Sequence, residues 1–253
     1  MDLKKYKRFF AFGCSITRYG WPTWADMIGQ EIPNYINAGR PGAGNLYISS
    51  QIAEANQRYK FNEDDLVIVM WSTCTREDRY IIDRWVCPGN IYTQTYYDKK
   101  FIMNYVDDRG SLIRDMAQIS LANCLLQISK AEYHMLVMQP FETIISDSNK
   151  SKDVYADVFE LYKPIIDMIK HDMLNLGCNG KWPRIPIRHD VPGGQNYDYH
   201  PSPKTHFEFI SKVFPSIVWS NETIGFMEHH ERLVMKARFT EELTYNSPWP
   251  KQL

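Results

Sequence analysis

Apolar residues fall along this chain in short unbroken runs, separated by longer stretches of helical period. Phe9-Phe10-Ala11-Phe12, Leu66-Val67-Ile68-Val69-Met70-Trp71 and Met135-Leu136-Val137-Met138 are continuous rather than alternating. A strand with every position apolar suits a parallel sheet covered on both faces. Residues 8–12, 66–71 and 135–138 are therefore predicted strands, with 35–37 a shorter one. Between them, 21–28 places Trp24, Met27 and Ile28 at helical spacing, with Pro22 in the first turn. Residues 46–59 present Leu46, Ile48, Ile52 and Ala53 on one side, with Asn45 as the expected cap. Residues 111–131 and 154–176 read as longer helices, the second kinked or divided at Pro164. Ser202 as N-cap and Pro203 as first helical residue open a last core helix, with Phe207, Ile210 and Phe214 as its buried side.

Strands alternating with helices predict an α/β fold with a mainly parallel sheet. Ligands of such sheets gather beyond the carboxyl ends of the strands. Three segments of interest, after Phe12, after Asn37 and after Met70, lie at such ends. Residues 79–108 are aromatic, polar and irregular, and are expected to form an insertion beside that end, as a lid or substrate wall. The domain is expected to span 1–220, with 221–253 as a helical and extended appendage.

Composition narrows the classes. A net charge of −1 without a long block of like charge disfavours sequence-independent nucleic-acid binding. The five cysteines are scattered, without a C-x-x-C pair, which argues for free thiols in a reducing compartment and against zinc or a disulfide framework. No stretch approaches the roughly 20 apolar residues of a membrane span. The four-residue apolar run before Gly13 is too short for a signal-peptide core. A cytoplasmic location is expected, with release by lysis or incorporation into a particle left open, as is homo-oligomerisation.

The chemistry begins where the first strand stops. In Gly13-Cys14-Ser15-Ile16-Thr17 a buried run ends in Gly-x-Ser, which presents a hydroxyl at the tip of a tight turn. Far downstream, Asp198-Tyr199-His200-Pro201 offers an imidazole as base and a carboxylate to orient it. Asp198 either faces His200 or closes a turn. Without partners, Ser15 is a loop serine capping the next helix. The loop Ala38-Gly39-Arg40-Pro41-Gly42-Ala43-Gly44 allows close backbone approach, and its N–H groups can face a developing negative charge. It lacks the Lys-Ser/Thr of a P-loop and the Gly-x-Gly-x-x-Gly order of a dinucleotide site.

These segments together, Gly13-Cys14-Ser15-Ile16-Thr17, Trp21-Pro22, Asn37 to Asn45 and Asp198-Tyr199-His200-Pro201-Ser202-Pro203, resemble the blocks of the SGNH/GDSL hydrolase superfamily. The likeness is to the branch with Gly-Cys-Ser-x-Thr in its first block, and covers about residues 8–215. It implies a three-layer α/β/α flavodoxin-like sandwich and serine hydrolase chemistry on esters, without cofactor or metal. Ser15 matches the nucleophile, His200 the base, Asp198 the orienting acid, and the N–H groups of Ser15 and Gly42 the oxyanion donors.

Two departures stand out. The third block of the superfamily carries an oxyanion Asn, whereas this strand end reads Trp71-Ser72-Thr73-Cys74-Thr75-Arg76. Thr73, Ser72, Asn45 or Arg76 would have to replace it, and loss of one oxyanion donor costs on the order of 10²–10³ in rate. The acid of the last block usually stands three residues before the histidine, where this chain has Tyr197; Asp198 stands two before.

Among other groups, His206 is expected to be a packing residue, His189-Asp190 is a second choice for the dyad, and His229-His230 lacks further metal ligands. Tyr92, Tyr96 and Tyr97 either pack or stack on a sugar ring. The expectation is an esterase for small acyl esters, such as O-acetyl groups on a carbohydrate, because the insertion is polar and no extended apolar lid is visible. A non-catalytic carbohydrate- or protein-binding module keeping the fold is the alternative, and acyl transfer would use the same groups.

Overall fold

The computed structural model describes residues 1–93, 96–143, 155–187 and 196–236. In chain order the first half gives β1 (Arg8–Phe12), α1 (Trp24–Glu31), β2 (Asn34–Asn37), α2 (Asn45–Tyr59), β3 (Asp65–Trp71), β4 (Arg79–Ile81) and β5 (Arg84–Val86). Then follow α3 (Lys99–Tyr105), α4 (Asp108–Ser129), β6 (Glu132–Val137), α5 (Ala156–Leu161) and α6 (Lys163–Ile166). The last part holds β7 (Ile185–Ile187), β8 (Asn196–Asp198), α7 (Pro203–Val213) and α8 (Asn221–Met235).

Four of the strands pair in parallel in the order β2-β1-β3-β6. Phe9 to Phe12 and Leu66 to Trp71 are fully buried, which is why neither run alternates. From β1 the chain steps one way to β2 through α1, then crosses back to β3 through α2. Right-handed crossovers in opposite directions put the two helices on opposite faces. Accordingly α1 packs with α7 and α8, while α2 packs with α4, giving three layers with the sheet in the middle. The strand order is that of a flavodoxin-like sheet over its first four strands. Its direction reverses at the carboxyl end of β1, immediately before Ser15.

The local signals explain most elements. Thr23 caps α1 in a capping box, with its own N–H bonded to Asp26 Oδ2 at 2.8 Å. Ser202 caps α7, and Pro203 is its first residue as expected. On α7 the buried residues are Pro203, His206, Phe209 and Ile210, while Phe207 is only half-buried.

Elsewhere the outcome differs. Asn45 is the first residue of α2 and not its cap; Gly44 is the cap and has no side chain to offer. The helix expected over 154–176 does not run through. Pro164, near the start of α6, removes an N–H donor and separates α5 from α6. Beyond Ile166 the chain is drawn to the edge of the sheet instead, where Val137 N–H donates to His171 O at 3.1 Å. The insertion is structured: β4 and β5 form an antiparallel hairpin, followed by α3. Residues 221–235, expected as part of an appendage, form α8, which packs on α1 and α7 and buries Thr223, Met227 and Val234. The rest of the expected appendage, 237–253, lies outside the described residues. Among the described residues no helix is long and apolar enough to cross a membrane. All five cysteines are unpaired.

Candidate active site

Ser15 lies in the turn directly after β1, where Thr17 and Arg18 N–H both return to Cys14 O at 3.0 and 3.1 Å. Gly13 is required there. A Cβ on it would stand 2.0 Å from Thr17 Oγ1 and 2.9 Å from Met70 O. The far side of the turn is fixed at Thr17 O, which accepts from Thr23 Oγ1 at 2.6 Å and Asn37 Nδ2 at 2.9 Å. Ser15 is largely buried, and its hydroxyl makes no hydrogen bond among the described residues.

The segment that follows Ser15 meets the segment that carries His200. Trp21 Nε1 donates to Pro201 O at 2.8 Å, and the Tyr19 ring stacks on the His200 imidazole with centroids 3.7 Å apart. Asp198 reaches that end of the molecule on the β7–β8 ribbon. Its Oδ1 is 2.8 Å from His200 Nδ1 and accepts the His200 N–H at 2.7 Å, so it both orients the ring and closes a turn. Its Oδ2 accepts from the Tyr19 hydroxyl. Burial pushes the Asp198 carboxyl up, but the donors from His200 and Tyr19 outweigh it and hold it below its ordinary value. Burial and the neighbouring carboxylate push the Tyr19 phenol well up, so it stays a donor. His200 Nε2 and Ser15 Oγ are not bonded to one another. Neither has another partner among the described residues.

Around this pair the glycine-rich loop is pinned from both sides. Arg40 N–H donates to Gly13 O at 3.0 Å, and Arg76 Nη1 donates to Ala43 O at 2.8 Å. Gly42 has φ +81°, and a Cβ on it would meet Cys87 O of the insertion at 2.1 Å. Only glycine suits both the left-handed backbone and that contact. The N–H groups of Ser15 and Gly42 have no acceptor among the described residues, whereas Thr17, Arg18, Arg40, Ala43 and Gly44 all donate. Unengaged backbone donors are what an oxyanion requires where they converge on one point.

Asn45 is engaged elsewhere. Its amide donates to Ser72 O at 3.1 Å and Asp115 Oδ2 at 2.9 Å, and its oxygen accepts from Ser72 N–H at 2.8 Å. Both amide hydrogens are used, so Asn45 ties the loop after β3 to α2 and α4 and has none left for a substrate. Thr73 Oγ1 lies 3.1 Å from Thr75 Oγ1 and keeps capacity for a further bond. Ser72 Oγ and Arg76 Nη2 both approach Met138 Sδ, at 3.5 and 3.7 Å.

Sequence reasoning missed the groups that support these. Asp78 accepts from Gly44 N–H at 2.9 Å and from Tyr47 N–H at 2.9 Å, filling the N-terminus of α2 with the chain's own carboxylate. Arg114 spans Asp115 at 2.9 Å, Glu77 at 2.5 Å and Arg76 O at 2.9 Å. Burial raises Asp115 to about 6 against the pull of Arg114 and Asn45. Glu231 on α8 accepts from Ser202 Oγ at 3.1 Å and Lys204 N–H at 2.9 Å, just beyond His200. Apart from Arg114 with its neighbour Asp115, these contacts join residues 27 to 38 positions apart, so they leave no local sequence signal. Tyr19 lies two residues beyond the first motif, and its contacts do not follow from that motif. His206 is fully buried, and burial lowers it to about 3, in keeping with a packing residue. His189-Asp190 lies outside the described residues.

No protein-family model matches the chain, and no curated protein matches it. Among solved structures it is similar to a member of the lipolytic protein G-D-S-L family from Veillonella parvula, at 16% identity and TM-score 0.43, over 83% of this chain and 99% of that one. It is also similar to the psychrotrophic esterase EstA from Pseudoalteromonas sp., at 8% identity and TM-score 0.43, over 83% and 96%. A third likeness is to a GDSL-like lipase from Bacteroides thetaiotaomicron, at 14% identity and TM-score 0.38, over 92% and 89%. At these values the likenesses say nothing of substrate.

Proposed function

We propose that this chain is a serine esterase of the SGNH/GDSL type. The observation that carries the reading is the His200–Asp198 pair, met by the segment just after Ser15 at the carboxyl end of β1. In this reading Ser15 Oγ attacks the ester carbonyl while His200 Nε2 takes its proton. The oxyanion is received by the N–H groups of Ser15 and Gly42, with Thr73 as the side-chain candidate. His200 returns the proton to the departing alkoxide, and water then repeats the sequence on the acyl-enzyme. Asp198 stabilises the imidazolium without changing its own protonation.

The substrate reading is a short acyl ester on a polar alcohol, with O-acetyl groups on a carbohydrate as the first choice. Its support is the polar and aromatic character of the neighbouring segments: Arg18, Arg40 and Arg76 stand on the loops after β1, β2 and β3, and Trp85 of the insertion crosses Tyr47 with ring centroids 5.6 Å apart. Hydrolysis of 4-nitrophenyl acetate by wild type and Ser15→Ala tests the class. Loss of at least about 10³-fold in Ser15→Ala supports it, and equal rates remove Ser15 from the mechanism. The alternative, a non-catalytic binding module, is favoured by the fully engaged Asn45 amide and the unformed Ser15–His200 bond. It predicts no turnover in either protein.

A further inference from the structure

The acid of this site stands two residues before its histidine, and that spacing has a geometric consequence. Asp198 Oδ1 is occupied twice by His200, through the backbone N–H at 2.7 Å and the ring at 2.8 Å. The carboxylate is thus tied to His200 through one oxygen, and its other oxygen makes no bond to the imidazole. A largely buried carboxylate with one idle oxygen would be free to turn, and the ring it orients would turn with it. Tyr19 meets that need: its hydroxyl donates to Oδ2. The same side chain lays its ring on the imidazole, 3.7 Å between centroids and 19° between planes. One residue thereby fixes both the acid and the face of the base.

Tyr19 is itself held in place. Trp21 presses edge-on against its ring at 4.6 Å and 82°, while Trp21 Nε1 is anchored on Pro201 O. On its other side the chain is fastened at Thr17 O by Thr23 and Asn37. The clamp therefore connects the turn of Ser15 to the loop of His200, which are more than 180 residues apart in sequence and share no strand pairing.

We propose that Tyr19 is a positioning residue, which holds Asp198 and His200 in line through its hydroxyl and its ring. The proposal rests on the reading of Ser15 and His200 as an esterase pair. Other groups around His200 do not duplicate the role. His206 on α7 is buried and uncharged near neutrality, and Glu231 and Lys204 bond to each other or to Ser202 at the head of α7. Tyr199 is exposed.

Tyr19→Phe removes the hydroxyl and keeps the ring; Tyr19→Ala removes both. The test measures kcat, KM and the pH profile of 4-nitrophenyl acetate hydrolysis, with the downfield Nδ1–H signal of His200 followed by NMR. In Tyr19→Phe, kcat should fall about 10-fold with KM little changed, as for one lost hydrogen bond to a charged group. The acid limb of kcat/KM should move up by about half to one pH unit, because the Asp198 charge is then shared with the imidazolium alone. The Nδ1–H signal should broaden as the pair loosens. Tyr19→Ala should lose about 100-fold in kcat, as two supports are removed. An unchanged pH profile and an unchanged signal in Tyr19→Phe would overturn the proposal, even if kcat fell. Should the wild type hydrolyse nothing, the esterase reading fails, while the NMR signal still decides whether Tyr19 holds the pair.

Discussion

Replacing Glu231 by Ala tests whether α8 is a working part of this fold. Glu231 sits on α8, yet its two oxygens accept from Ser202 Oγ at 3.1 Å and from Lys204 N–H at 2.9 Å, at the first turn of α7. Ser202 in turn accepts from Thr205 N–H at 3.3 Å, so the carboxylate stands behind the cap of α7 as well as beside it. Losing a cap contact costs about 0.5–2 kcal/mol, and a negative charge at a helix N-terminus adds about 0.3–1 kcal/mol. Water reaches Lys204 N–H and reduces both, which leaves about 1–2 kcal/mol. For a chain of this length each kcal/mol moves the melting temperature by about 2–4 °C, so a fall of about 4 °C is expected. Glu231→Gln keeps one acceptor and should fall about half as far. Differential scanning fluorimetry reads the stability, and 4-nitrophenyl acetate turnover reads the site. Because Ser202 follows His200 by two residues, kcat should drop a few-fold alongside. A melting temperature unchanged within 1 °C in Glu231→Ala would refute the reasoning.

Two further outcomes separate structural from chemical roles. Asn45→Ala takes a hydrogen bond each from Ser72 N–H, Ser72 O and the carboxyl of buried Asp115, so urea unfolding should show a loss of about 2–4 kcal/mol at unchanged m-value. A loss of kcat with stability intact would instead make Asn45 an oxyanion donor. Asp26 is fully buried and raised to about 6 by burial, against the bonds from Thr23 and Tyr35. A carboxyl raised on folding lends stability that is whole below its unfolded value near 4 and is lost as pH rises through about 6. Asp26→Asn removes that loss, so relative to wild type it should be about 2–3 kcal/mol more favourable at pH 8 than at pH 4. A difference between the two proteins that does not vary with pH, measured by urea unfolding, would contradict this.

The parallel sheet was legible because full burial leaves its mark on the strands themselves: β1 and β3 are apolar at nearly every position. The Ser15 turn and the His200 loop were legible because each carries its chemistry within a few residues. The fate of Asn45 was not, since its amide is claimed by Asp115, 70 residues away, and by the backbone of Ser72. Helix propensity carried 154–176 too far, because the sheet edge at Val137 takes up residues 171 and 172. The contacts of 221–235 with α1 and α7 leave no local signal, since their partners are far away in the chain: Glu31 Oε1, for one, accepts from Ser220 N–H at 2.9 Å. The role of Tyr19 needed the closed fold, because only there does its ring meet an imidazole from the far end of the chain.

A hydroxyl raised to nucleophilic strength by an oriented imidazole reacts with a fluorophosphonate, and an ordinary serine does not. Intact-mass measurement of the folded protein after such treatment should give a single adduct, mapping to the peptide that holds Ser15 and missing from Ser15→Ala. A correctly folded wild type that gains no mass, or a Ser15→Ala variant that gains the same mass, would contradict the account.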